Sequence, residues 1–113
     1  MEGEGKPVEW LGSSLDDPRG CPADARREAG FQLERVQQGL MPNDWKPMLT
    51  VGAGVTEIRV RKGREHRVFY VAKFAEAVYV LHVFEKKSQR TASRDVAIGE
   101  ARYRELIQLR QGR

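Results

Sequence analysis

A single cysteine, Cys21, stands among 113 residues, so no disulfide within the chain can staple it. With Pro22 beside it and no histidine nearby, its thiol reads as inert or incidental. Histidine is nearly as scarce: His66 and His82 lie sixteen positions apart without the paired ligands of a zinc site, so no metal is expected. No apolar run approaches the roughly 18 residues that cross a bilayer. The acidic, Gly-rich opening MEGEGKPVEW also lacks the basic and apolar parts of a signal peptide. The cytoplasm is the expected location, with no membrane partner. GxxxxGK[ST], a GxGxxG opening a helix, and GxSxG are missing as well, which removes support for phosphate-loop, dinucleotide and hydrolase-elbow chemistries and for their cofactors.

What is present suits one folded domain over residues 1–113: 40% hydrophobic and 32% charged residues, too apolar for a disordered chain. The net charge of +4 is unevenly spread. Residues 1–56 carry six basic and nine acidic side chains, residues 57–94 ten and four, and residues 95–113 four and three. Concentrated Lys and Arg favour a polyanion such as nucleic acid, because they neutralise phosphates and release counterions. A solvated basic face is the plainer alternative.

Periodicity supplies the elements. Lys6 to Leu11 reads as a short strand, after which Ser14 is placed to cap a brief helical turn ended by Pro18 and Gly20. Ala25, Ala29, Leu33, Val36 and Leu40 recur at spacings of three and four, with Pro22 at the start and Gly39 at the end, and predict an amphipathic helix over 22–38. Residues 41–47, with two prolines, predict a loop that Trp45 pins to the core. Val55 to Arg61 reads as a strand that alternates apolar with charged residues over its later part; a turn at Lys62 and Gly63 leads to a strand over Glu65 to Phe74, and a third runs from Val78 to Glu85. Arg67 to Ala72 and Val78 to Phe84 are nearly continuous in apolar residues, so their faces are ambiguous. Ser93 is placed to cap a helix carrying Val96, Gly99, Tyr103, Leu106 and Ile107 on one side. The expected class is α+β: a small antiparallel sheet of about four strands packed with two N-terminal helices and one C-terminal helix.

Chemistry concentrates on or beyond the three later strands. Arg59, Arg61, Arg64, Arg67, Lys73, Lys86, Lys87, Arg90 and Arg94 interleave with Tyr70 and Phe84, and such a sheet can hold RNA by charge and stacking. RNA brings its own nucleophile, so cleavage needs positioning of the 2'-hydroxyl, proton transfer and stabilisation of phosphorane charge, all within reach of Lys and Arg without metal. A Lys or Tyr crowded by cations can have its pKa lowered into a useful range, which makes Lys86, Lys87 and Tyr70 candidates. Arg67 reads as a phosphate ligand, against a surface salt bridge with an acid such as Glu57 or Glu65. Phe84 and Tyr70 read first as core residues and second as stacking platforms. His82 reads as a satisfied sheet residue rather than a catalyst.

The segments EIRVR, HRVFYVAKF, AVYVLHVFEKKSQRT and ARYREL, preceded by GFQLERVQQGL and DWKPM, resemble the phage-derived HigB-like toxins of the RelE/ParE superfamily over residues 8–110. The run from Val78 to Thr91, with Phe84, Lys86, Lys87 and Thr91 in order, is its most specific part. The resemblance implies a RelE-like fold and a type II toxin that cuts messenger RNA on the ribosome. It also implies a HigA-like helix-turn-helix antitoxin as partner, with operator DNA reached only through that complex. Carried over by position, it implies phosphate clamping by Arg59 and Arg67 and proton or charge transfer by Lys86 and Lys87. With Tyr70 these form the expected catalytic set; Arg61, Arg64, Lys73, Phe84, Arg90 and Arg94 form the expected RNA-binding set. The chain departs from the pattern where Pro18, Arg19 and Gly20 interrupt the first helix, and in ending QLRQGR without the terminal Tyr on which some RelE nucleases rely. Two other readings stand beside this one: a ParE-like inhibitor of DNA gyrase, and an RNA-binding module without cleavage.

Overall fold

The computed structural model describes residues 5–12, 14 and 20–112. Its elements run β1 (Val8–Trp10), α1 (Ala23–Gln37), β2 (Trp45–Pro47), β3 (Val55–Lys62), β4 (Arg64–Val71), β5 (Val78–Glu85) and α2 (Ser93–Gln111). The strands form one five-stranded sheet in the order β1-β5-β4-β3-β2. β3, β4 and β5 are the expected antiparallel meander, with Gly63 at φ 73° making the first turn. β1 pairs in parallel with β5, so the sheet is mixed. The fifth strand is β2, which pairs with β3 inside the stretch expected to be a loop. Pro47 is tolerated there because β2 is an edge strand of three residues. Trp45 lies on it 40% exposed, and does not pin the segment to the core.

Alternation assigns two faces. Val55, Glu57, Arg59 and Arg61 share one face with Glu65, Arg67, Phe69 and Val71, while Ile58, Val60, Val68 and Tyr70 line the other. A bulge between β4 and β5 pairs Phe69 with His82 but Tyr70 with Val80, so Leu81 is the extra residue. Leu81 therefore joins Phe69 and Phe84 in the core on the first face, which explains why the period of β5 is unreadable in sequence. Each face has its own helix. α2 packs on β5 over the cluster of Leu11, Val55, Phe69, Leu81 and Leu106; α1 packs on β3 over Ile58, Val60, Val68 and Val80 through Ala25, Leu33 and Val36. Fully buried Phe69, Ile58, Leu81 and Leu106 each contribute about 1.5–3 kcal/mol of apolar burial.

α1 starts after extended Pro22 and stops before Gly39 at φ 87°, with Asp24 in its first turn and Arg35 in its last, both favourable to the helix dipole. Its buried Gln32 accepts from the Asn43 amide at 2.8 Å and donates to Glu28 at 2.6 Å, tying the loop before β2 to the helix. Ser93 is the first residue of α2 and caps nothing by its side chain; Ala92 holds the cap position. Gly99 lets α2 approach the sheet, since a Cβ there meets Phe69 Cδ2 at 2.9 Å. The brief helical turn expected after Ser14 lies mostly outside the described residues, and one N-terminal helix, not two, is found among those described. The Ser14 hydroxyl donates to the Val80 carbonyl at 3.1 Å.

Candidate nucleic-acid interface

The hairpin register sets three arginines and two carboxylates on one face of β3 and β4, and the loop before β2 adds Asp44. Arg59 meets Asp44 at 3.3 Å and Glu57 at 3.9 Å; Arg67 meets Glu57 at 3.4 Å and Glu65 at 2.6 Å; Arg61 meets Glu65 at 3.6 Å and Asp44 at 3.4 Å. These contacts close an alternating ring of three cations and three anions, with Lys46 a further 4.0 Å from Glu57. Glu57 has no exposed surface and Arg67 is 3% exposed. Both Glu57 carboxylate oxygens, Arg59 Nε and Arg67 Nε are buried without hydrogen bonds, so Coulomb attraction alone compensates desolvation at Glu57. The Arg67 hydrogen bond, with help from Arg61 and Lys86, holds the Glu65 carboxyl below its ordinary range. Arg67 is thus internal, where a surface position was expected, and much of the basic excess counted along β3 and β4 is neutralised within the ring.

Most of the cations that escape this neutralisation follow β5. Among the described residues, no ion pair engages Lys86, Lys87, Arg90 or Arg94, and all four line a cavity of about 450 Å³ running from the end of β5 to the start of α2. The Lys86 amide donates to the Glu65 carbonyl at 2.8 Å, extending the ladder one residue past β5. The Ser88 hydroxyl donates to the Arg90 carbonyl at 2.7 Å, which folds the following turn. The α2 N-terminus, which no side chain caps, adds positive potential. A second cavity, about 650 Å³, opens on the ring side and shares Lys86 and Arg90 with Lys46 and Thr91. Lys86 and Arg90 therefore stand between two grooves, where a polyanion can be held from both sides.

His82 supports this wall. Its Nε2 lies 2.8 Å from Asp95 Oδ1, and its Nδ1 lies 3.4 Å from Arg102 Nη1, which also donates to the Leu81 carbonyl at 2.8 Å. Arginine only donates, so Nδ1 accepts and Nε2 carries the proton to Asp95. His82 stacks on Phe84 with centroids 4.8 Å apart, and Phe84 meets Phe69 edge-on at 5.0 Å. The Phe84 ring is committed to the core, although it borders the cavity.

The remaining expected site residues are dispersed. Tyr70 is on the opposite face under α1, 2% exposed. Burial pushes its phenol up to about 12, partly offset by a hydrogen bond with Thr56, the reverse of the lowering expected from neighbouring cations. Lys73 lies at the far end of β4, its Nζ 3.4 Å from the Tyr103 hydroxyl and 5.1 Å from the Phe74 ring centroid. Arg64 sits at the hairpin tip, 3.6 Å from Glu85. Sequence reasoning missed Asp44 and Asp95 as partners and His66 as a cavity residue; counting outward from Gly63 places Arg59 opposite Arg67 and Arg61 opposite Glu65, and was the available signal. No group of three or more His, Cys, Asp or Glu suited to a metal ion occurs among the described residues, nor a helix long and apolar enough to cross a membrane.

No curated protein matches the chain. The model of a family described as "Phage derived protein Gp49-like (DUF891)" matches residues 16–104, from before α1 into α2, and so takes in the ring, the loop after β5 and its cavity. The chain therefore belongs to this Gp49-like phage-derived family, a family of the toxin–antitoxin type.

Proposed function

We propose that the protein is the toxin of a type II toxin–antitoxin pair, a HigB-like member of the RelE superfamily that cuts messenger RNA without metal in the cytoplasm. The carrying observation is the set of four cations, Lys86, Lys87, Arg90 and Arg94, that form no ion pair among the described residues and gather around one cavity. In this reading they bind consecutive phosphates and stabilise the charge that develops on the phosphorane. Lys86 or Lys87 protonates the departing 5'-oxygen, and the products are a 2',3'-cyclic phosphate and a 5'-hydroxyl. The Arg59, Arg61 and Arg67 ring holds β3 and β4 in register, with Arg59 and Arg61 at its solvent rim. Ribosomes present the RNA, and a HigA-like helix-turn-helix antitoxin keeps it away from these cations.

Purified protein incubated with programmed ribosomes, and with RNA alone, tests the reading. Expected are cuts ending in 2',3'-cyclic phosphate, lost in a Lys86→Ala, Lys87→Ala variant that still folds. Intact RNA in both mixtures, with a defect in a DNA gyrase supercoiling assay, would move the assignment to protein inhibition.

A further inference from the structure

His66 lies on β4 opposite Val60 and Glu85 and is 4% exposed. It lines two cavities. One is the cavity of Lys86, Lys87, Arg90 and Arg94; the other, about 560 Å³, holds Lys62, Arg64 and Asp24 beside the α1 N-terminus. Gly20, Cys21, His66 and Glu85 line both, so the two adjoin as a groove round the end of the sheet, with basic residues toward either end and the Glu85 carboxylate, 3.6 Å from Arg64, at the bend. The ring is fixed in one tautomer. Nδ1 lies 3.0 Å from the Arg64 carbonyl oxygen, which can only accept, so Nδ1 carries the proton and the neutral ring keeps its lone pair on Nε2. Nε2 has no hydrogen-bond partner in the described structure and is not among the sealed polar atoms, which belong to Glu57, Arg59 and Arg67.

We propose that His66 is the general base of the RNA-cutting reaction, an inference that rests on the nuclease reading above. A single RNA strand follows the groove from Lys62 and Arg64 to Arg90 and Arg94, with the scissile linkage at its bend. Nε2 takes the proton of the 2'-hydroxyl; the 2'-oxygen bonds to the adjacent phosphorus; the bond from phosphorus to the 5'-oxygen breaks. That oxygen leaves with a proton from the Lys86 or Lys87 ammonium. The imidazolium and the neutral amine then exchange protons with water and return to their starting states. The Arg64 carbonyl holds the donor end of the ring, so the acceptor needs no reorientation when RNA arrives.

The full chain is assayed with ribosomes programmed with a short messenger RNA, alongside its affinity for a 2'-O-methyl RNA oligonucleotide, which binds but carries no nucleophile. His66→Asn keeps an amide donor for the Arg64 carbonyl and removes the base; His66→Ala leaves space for added imidazole. Expected is a loss of cleavage of about 100-fold or more in both, with 2'-O-methyl RNA affinity within about twofold of wild type and partial recovery of His66→Ala in imidazole. Cleavage by His66→Asn within about threefold of wild type, or a folded His66→Ala variant that has lost cleavage and ignores imidazole, overturns the proposal while the nuclease reading stands. RNA left intact by wild type, with and without ribosomes, overturns both.

Discussion

Arg67→Met tests whether this arginine is an internal charge or a surface ligand. The guanidinium is 3% exposed and bridges Glu57 and Glu65 at 3.4 and 2.6 Å. Its removal leaves the wholly buried Glu57 carboxylate with Arg59 at 3.9 Å and Lys46 at 4.0 Å and no hydrogen bond. Breaking a buried pair from one side costs about 3–5 kcal/mol, a large part of the roughly 5–15 kcal/mol that holds a domain together. Glu57→Met leaves Arg67 its 2.6 Å bond to Glu65, so its cost is the smaller of the two. The double variant removes both charges and fills the space with apolar atoms, so the two costs do not add; the coupling is expected to exceed about 2 kcal/mol. Urea unfolding of the four proteins, with matching m-values, measures it. An Arg67→Met cost within about 0.5 kcal/mol, the range of an ordinary surface substitution, or additive single costs, would refute the argument.

Other consequences are as direct. Replacing Lys86, Lys87, Arg90 or Arg94 with Gln changes stability by less than about 0.5 kcal/mol, while the salt dependence of single-stranded RNA binding loses about 0.7 in slope for each phosphate contact removed; binding isotherms at several salt concentrations show it. Asp95→Ala leaves the buried His82 N–H without its acceptor and costs about 1–3 kcal/mol, read by denaturant unfolding. Because burial raises the Tyr70 pKa to about 12 from 10, the folded chain keeps that proton after the unfolded chain releases it. Its stabilising effect is whole below pH 10 and lost as pH rises toward 12, so wild type loses about 2–3 kcal/mol more than Tyr70→Phe across that window. Gly52→Ala places a Cβ 2.6 Å from the Tyr103 ring, which is anchored by its hydroxyl to the Ala53 carbonyl at 2.8 Å; the overpacking costs about 1–3 kcal/mol, read from the urea midpoint.

Local chemistry made much of the fold legible. The spacing of Ala25, Leu33 and Val36 placed α1 within a residue at each end because that helix buries one patterned stripe, and β5 was bounded by Val78 and Glu85 as expected because its apolar run is buried almost throughout. The parallel pairing of β1 with β5 has no local signal, since it joins segments some seventy residues apart. β2 was hidden by Pro47, which is harmless only because that strand is an edge. The charge count exposed the basic middle of the chain but not which cations meet acids. That depends on register: Glu57 lies diagonally between Arg59 and Arg67, and Asp44 arrives from another element. Lys86, Lys87 and Arg90 fall in one short loop and Arg94 in the first turn of the helix that follows, so they lie close in sequence, whereas Tyr70, one position from Phe69, points to the opposite face.

The central proposal, RNA cleavage directed by the loop after β5, is met most directly by inducing the wild-type chain and the Lys86→Ala, Lys87→Ala variant in a bacterial host and mapping messenger RNA 5' ends against the reading frame. The expected result is growth arrest with new in-frame 5' ends for wild type and neither for the variant. Growth arrest by wild type with messenger RNA intact would contradict the account.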